Sequence, residues 1–546
     1  MGNIIFTNGN VFTGLRDRPE WSTLVVSGGE IVFIGNRERA MEYNIAGTRI
    51  IDLKGKTLMP GFYEGHAHGT LGGLLMNCCL LSPGKSIRDY LSIIGDYCSS
   101  REGLRQVKGF GWVHGFFGTG GPLKETLDKA VPGIPAVFLS IDYHSCWVNS
   151  KALAMAGIDK HTPDPHGGKI ERHEETGEPT GCLRESPAID LVMKALDPPA
   201  KAEWEEAVRT YMKLAAQHGI VGIFDAGVLN ADQPEVFQVI HEMDERDELT
   251  VRFRQSYVLG PDTAGKDIET LRALRSRYGS GKNFRVEVAK IFMDGAIEGH
   301  TGFLLDPYKD REGFTGRPVW APDVFEKTVR ELHRGSFQIH VHTIGDGAVR
   351  AALNGLEKAV KEGGAGNMRH TLAHIELIDP ADIPRLSNMG MVASFQPAWF
   401  YMDDNYFQET LPLLARSRAD RRYVLRDFIK NGVDIAFGSD WPWGTVSSSM
   451  DPLLAIGTAV TRQDPEKADS APYEPEEKIG LASALALHTR GGAWQNFSEA
   501  FNGTLEVGKK ADLVVLNANL FDLPLSELDH AGVEMTFFEG RCIFPE

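Results

Sequence analysis

Residues 58–68 read LMPGFYEGHAH, an apolar run, a glycine turn and then two histidines one residue apart. A run of this length suits one buried strand, and residues two apart on a strand face the same side. The pattern of an apolar run with a polar end recurs in 284–295 (FRVEVAKIFMDG), 338–346 (QIHVHTIGD), 370–377 (HTLAHIEL) and 433–442 (VDIAFGSDWP). Further strand-like runs are 136–144 (AVFLSIDYH), 219–227 (GIVGIFDAG), 251–260 (VRFRQSYVLG) and 391–399 (MVASFQPAW), and helical patterns such as 202–219 and 323–335 lie among them. Alternation of this kind predicts parallel β/α units. Polar residues gathered at the C-terminal ends of the strands predict an α/β fold of the (β/α)8 TIM-barrel type, with its site at the mouth. A doubly wound open sheet is the competing fold, but no Gly-rich phosphate loop supports it.

Outside the barrel the texture changes. Stretches 3–14, 22–35 and 48–62 are short β-rich runs punctuated by Gly and Asn, and 511–520 and 533–544 repeat that character. Neither end has enough apolar surface to fold alone. Residues 1–58 and 502–546 are therefore expected to form one small composite β-sandwich, with 59–501 as the barrel. From about 75 to 185 the strand–helix rhythm breaks, in stretches such as GFGWVHGFFGTGGP (109–122) and HTPDPHGGKIERHEETGEPTG (161–181). That is too long for a βα loop, so it reads as an insertion over the barrel mouth that shapes an apolar or aromatic substrate pocket.

With 546 residues, 42% of them hydrophobic and 24% charged, the chain is an ordinary globular one of two or three structural units. A net charge of −17 argues against nucleic acid or an anionic membrane surface as partner. The six cysteines form no C-x-x-C pair and read as free thiols of a reducing compartment. No signal peptide or membrane span is visible, so a cytoplasmic protein acting on a small molecule is expected, a homodimer by base rate.

The polar strand ends carry the chemistry. His66 and His68 can reach one ion together. Lys290 is flanked by apolar residues, where burial lowers an amine's pKa; a neutral amine can add carbon dioxide to become an anionic carbamate ligand. His340 and His342 share one strand face, as do His370 and His374; the member nearer the mouth, His342 or His374, is the preferred ligand. Asp440 closes its strand and needs a partner or a metal. Neutral imidazoles and a carboxylate suit Zn²⁺, with Mn²⁺, Fe²⁺ or Co²⁺ as alternatives, and a divalent ion brings a bound water's pKa to roughly 7. Asp440, His342 and Lys290 are the catalytic candidates. His300, His340, His370, Gln396 and Trp443 are candidates for contact with substrate, with Trp399 and Trp441 as further apolar wall.

These motifs, with SFQP (394–397) and GTLEVGKKADLVVL (503–516), resemble the amidohydrolase superfamily. The resemblance is to its YtcJ-like branch, amidohydrolase family 3, which includes N-substituted formamide deformylase, and covers nearly the whole chain. It implies that His66, His68 and Asp440 bind one metal, that His342 and His374 bind a second, and that a carboxylated Lys290 bridges them. Two stretches depart from the family pattern: Glu64-Gly65 precedes the histidine pair, and His300 stands in DGAIEGHTG (294–302) where an arginine is usual. The expected reaction is hydrolysis of an amide C–N bond in an N-substituted formamide, an N-acyl or a cyclic amide. A deaminase, an ester or lactone hydrolase and a catalytically silent ligand-binding relative are the alternatives. No motif supports NAD, ATP or flavin.

Overall fold

The structure, a computed structural model, describes residues 2–101, 103–117, 120–141, 145–165, 168–229, 231–364, 366–402, 406–443, 449–467 and 469–545. Two compact units divide the chain: Met1–Gly69 with Tyr211–Glu546, and Thr70–Thr210.

In the first unit eight parallel strands follow one another around a barrel sheet: β1 (Phe62–Ala67), β2 (Ile220–Asp225), β3 (Arg252–Val258), β4 (Phe284–Phe292), β5 (Gln338–Thr343), β6 (Thr371–His374), β7 (Val392–Phe395) and β8 (Asp434–Phe437). Both faces of such a sheet are covered, so runs such as IVGIFD in β2 are buried at every position. The strands β1 and β8 meet just past their ends, where His68 N–H donates to Trp441 O (2.7 Å) and Asp440 N–H to His66 O (2.8 Å). Glycine permits that approach: a Cβ on Gly438 would lie 2.4 Å from the His66 nitrogen, and one on Gly65 2.8 Å from the Phe437 oxygen. Outside the barrel, helices Pro322–Arg334 and Asp346–Gly363 bury Phe325, Val329, Leu353 and Leu356.

Strands from both chain ends build a second, eight-stranded sheet in the same unit. Its order runs Arg541–Phe544, Val533–Phe538, Leu513–Leu516, Thr57–Pro60, Ile4–Val11, Glu20–Ser27, Glu30–Gly35, with Arg49–Asp52 also paired to Ile4–Val11. The two ends join where Val514 pairs with Met59. One cluster of this sheet buries Phe6, Leu24, Leu58, Leu513 and Phe537, with the Phe6 and Phe537 rings edge to face at 5.1 Å.

The unit Thr70–Thr210 has its own six-stranded sheet, ordered Lys169–Arg172, Pro179–Arg184, Ser145–Val148, Ala136–Ser140, Val107–Trp112, Cys79–Leu80. This corrects the grouping of 136–144 with the barrel strands: its strand, Ala136–Ser140, is in this sheet instead. The aromatics expected to line a substrate pocket fill this unit's interior. Trp112 and Trp147 are buried, each with a ring 5.4 Å from Phe117. Their indole N–H groups donate to Phe138 O (2.8 Å) and Leu123 O (3.0 Å). Among the described residues no helix is long and apolar enough to cross a membrane.

Candidate metal centre

Strand register sets the depth of each side chain. Lys290 on β4 pairs with His340 on β5, His342 lies one pleat higher opposite Phe292, and Thr343 pairs with His374 on β6. From β1 and the end of β8 come His66, His68 and Asp440. The six predicted ligands form one connected group. Asp440 Oδ1 is 3.2 Å from His66 Nε2 and 3.6 Å from His68 Nε2, and Lys290 Nζ is 3.4 Å from His66 Nε2. The His374 ring is 4.7 Å from that of His66 and 4.5 Å from that of His342. Within this group, ligand atoms of His66, His374 and Asp440 all lie within 4.8 Å of one another. His374 and Asp440 both hold left-handed backbone, at φ 72° and 58°. That conformation costs of order 1–3 kcal/mol in a non-glycine residue.

One nitrogen of each imidazole is engaged, which fixes the other. His68 Nδ1–H donates to Gly227 O (2.8 Å), His374 Nδ1–H to Gln396 Oε1 (2.8 Å) and His342 Nε2–H to Gly295 O (3.2 Å). Carbonyl oxygens only accept, so these tautomers leave Nε2 of His68 and His374 and Nδ1 of His342 with lone pairs. His66 Nδ1 is 2.9 Å from His340 Nε2, and with His66 as the donor its Nε2 is free in the same way. An acceptor behind each ligating histidine is the arrangement that orients metal ligands.

Burial governs the charges. It pushes His68 and His342 down to about 3 and His66 and His374 well below the ordinary histidine value, with the Lys290 charge adding to the effect on each. Burial likewise lowers Lys290 and raises Asp440, each held back by the other's opposite charge. Asp440 Oδ1 is buried with no hydrogen-bond partner, as is Gln396 Nε2. A buried carboxylate oxygen among neutral imidazole lone pairs is a donor set that suits a divalent ion, zinc first among them.

Three of the predicted substrate contacts have partners of their own within the chain. His340 lies one pleat below His342, its ring 4.6 Å from His66 and 4.7 Å from Phe224 and its Nε2 2.9 Å from His66 Nδ1. His370 precedes β6 at the base of the barrel. Its Nδ1 accepts from Ile339 N–H (3.0 Å) and its Nε2 is 3.0 Å from His333 Nδ1. Strand alternation put it on the face of His374, but four residues of strand separate the two by about 13 Å. The His300 imidazole, expected against the substrate, is engaged by Asp310 Oδ2 (2.8 Å) and packs on Tyr308. Of the other four candidates, three lie against His374 or His68. Gln396 and Trp399 contact His374, Trp399 stacked at 5.7 Å and 14°, and Trp443 is edge-on to His68 at 5.9 Å. Trp441 supplies the carbonyl that takes the His68 N–H and packs 6.0 Å from Tyr211.

Two carboxylates escaped the sequence reading. Glu64, noted only as a departure from the family pattern, is buried; its Oε2 accepts from Ser439 N–H (2.7 Å) and Oγ–H (2.9 Å), and burial pushes its pKa up to about 8. It ties β1 to the turn that carries Asp440. Asp294 accepts from the backbone N–H groups of Phe303 (2.9 Å), Ile344 (2.9 Å) and Gly345 (2.8 Å), fixing the loops that follow β4 and β5. The signal available for Asp294 was its place in MDG, four residues after Lys290.

Comparison with known proteins shows the family and the fold. The model of the amidohydrolase family matches residues 49–544. The chain is 29% identical to the putative amidohydrolase YtcJ of Bacillus subtilis (strain 168), over 99% of either chain. It is 26% identical to the N-substituted formamide deformylase of Arthrobacter pascens, over 99% of this chain and 98% of that protein. A solved structure of an uncharacterized metal-dependent hydrolase from Pyrococcus horikoshii OT3 has the same fold, with a TM-score of 0.76 at 20% identity, covering 96% of this chain and 99% of that one.

Proposed function

The chain belongs to the amidohydrolase family, and from that premise we propose that it is a metal-dependent hydrolase of a small amide C–N bond, an N-substituted formamide first. The observation that carries this reading is the partnerless Asp440 Oδ1, set between His66 Nε2 and His68 Nε2. His66, His68 and Asp440 would hold one zinc ion; His342 and His374 would hold a second, with a carboxylated Lys290 between the two. When bound, such an ion polarises a carbonyl oxygen and makes water acidic enough to attack at neutral pH.

The protein's own groups supply the proton handling and the positioning. Asp440 Oδ1 takes the proton of the attacking water and returns it to the departing nitrogen. Gln396 is anchored through Oε1 to His374, which leaves its buried Nε2–H free to donate to the substrate's carbonyl oxygen. Trp399 and Trp443 give the pocket apolar sides. The choice of a formamide is supported by the deformylase of Arthrobacter pascens.

The test is metal content by plasma mass spectrometry on protein purified without chelator, with hydrolysis of N-substituted formamides, N-acetyl amines, cyclic amides and esters measured on the same sample. Bound zinc with formate release identifies a deformylase. Bound zinc with ester cleavage alone overturns the amide reading, and protein that takes up no metal with zinc and bicarbonate present overturns the hydrolase reading altogether. Growth in ¹³C-bicarbonate, read by carbon NMR, tests the carbamate on Lys290.

A further inference from the structure

A cavity of about 310 Å³ lies at the base of the barrel, where the first residues of β3 and β4 face the segment 496–502. Five cations line it, Arg252, Arg254, Lys282, Arg285 and Lys510, in a chain of net charge −17. Four of them are paired. Arg252 meets Asp512 and Glu539, Arg254 meets Glu287 (2.7 Å), Lys282 meets Asp247 (2.8 Å) and Lys510 meets Glu30 (2.9 Å). Arg285 has no carboxylate partner among the described residues; its Nε–H donates to Gly281 O (3.1 Å).

The neighbours of Arg285 sharpen this imbalance. Arg254 and Arg285 are register partners across β3 and β4, and like charges directly opposite one another destabilise a sheet. Burial lowers the Arg254 pKa and the Arg285 charge adds to it, against the pull of Glu287. Asn283 lies two residues before Arg285, on the same side of the chain. It is 3% exposed and lines the cavity, yet neither its Oδ1 nor its Nδ2 has a hydrogen-bond partner; the Oδ1 of Asn502, 2% exposed, has none either. Leaving such groups unmatched costs about 1–3 kcal/mol each. Phe253, Phe497 and the half-exposed Phe501 give the wall its apolar part, beside Tyr63, Asn496, Ser498 and Glu539.

We propose that this cavity is a binding site, separate from the metal centre, for a small organic monoanion: a carboxylate on an apolar or aromatic body. Its charge is matched to Arg285, the Asn283 amide donates to it, and the body lies against Phe497 and Phe501. Arg285 is the lining cation that no carboxylate among the described residues meets, and aromatic walls call for more than an inorganic ion.

The test is calorimetric titration of the full chain with benzoate, repeated with benzamide and with inorganic phosphate. Benzoate is expected to bind saturably, at least about tenfold more tightly than either control. Arg285→Glu, at an exposed position that tolerates substitution, should weaken benzoate at least about tenfold, with Arg285→Lys restoring most of it. Asn283→Leu should weaken benzoate and leave thermal stability no lower, since it removes unmatched polar atoms. Asp440→Asn should leave benzoate affinity unchanged. No saturation by ~10 mM, equal binding to Arg285→Glu, or loss in Asp440→Asn would each overturn the assignment; phosphate binding as tightly as benzoate would overturn the organic body.

Discussion

At the base of the barrel Arg252, Arg254 and Arg369 are each closed by a carboxylate, whereas at the mouth Asp440 Oδ1 has no hydrogen-bond partner. Single strands span both conditions. The strand β5 begins with Gln338, whose amide N–H reaches Arg369 O (2.8 Å) and whose oxygen takes Arg254 Nε–H (2.9 Å), and it carries His340 and His342 further up. Just before β6, Arg369 forms a two-pronged pair with Glu499 (2.9 and 2.6 Å); the strand ends at His374 in left-handed backbone. Donors that find acceptors within the chain hold the fold together. Lone pairs that find none, kept neutral by burial, are available to something from outside. Along β5 and β6 position separates the two roles; at the base of β4, Arg285 and Asn283 are the exception.

That contrast can be broken from either end, and the largest effect is expected at the mouth. Asp440→Asn should lower kcat/KM for the identified substrate about 10²–10⁴-fold, with the denaturation midpoint of metal-free protein hardly moved. At the base the signs reverse. Asp512→Ala takes one of two carboxylates from the largely buried Arg252, leaving Glu539, and should cost about 1.5–3 kcal/mol in urea unfolding, while kcat of the folded enzyme stays put. An intermediate case is His340→Ala, which removes the acceptor behind His66; metal affinity should fall about 10–100-fold in chelator competition, by more than overall stability does. If His340→Ala lost stability and kept metal, His340 would belong with the base.

The smallest effect at neutral pH is expected for His370. Burial, then the neighbouring His333, pushes it from 6.5 to about 3 in the folded protein. Unfolded chains therefore take up a proton that folded ones refuse as pH falls between those two values. Stability is intact above 6.5 and is lost progressively toward 3. His370→Gln should flatten that acid slope by up to about 1.4 kcal/mol per pH unit and leave hydrolysis at pH 7 alone.

Strand ends were the legible part of this sequence. His66, His68, Lys290, His342, His374 and Asp440 each close an apolar run, and chain order alone puts such residues at a barrel mouth. Depth was not legible. Alternation tells which face His340 and His370 share with their neighbours, but the layer is set by register between strands, and pairings such as Lys290 with His340 have no local signature. Glu64 was hidden for a related reason: its partner, Ser439, comes from the far end of the chain. The aromatics of 109–148 could be read two ways, because Trp and Phe mark a pocket wall and a domain interior equally well; Trp112, Phe138 and Trp147 are in the core of a unit with its own sheet.

The pairing of Met59 with Val514 has a consequence for synthesis. When Thr57–Pro60 leaves the ribosome, one edge of the terminal sheet has no partner until Leu513–Leu516 follows. At about 5–20 residues per second, the roughly 450 residues between them take about 20 seconds to a minute and a half to translate. Through that interval the nascent chain presents an open, apolar strand edge, the kind of surface that recruits chaperones or seeds aggregation. Because the missing strand comes from the last part of the chain, premature termination anywhere before it leaves a product with that edge still exposed.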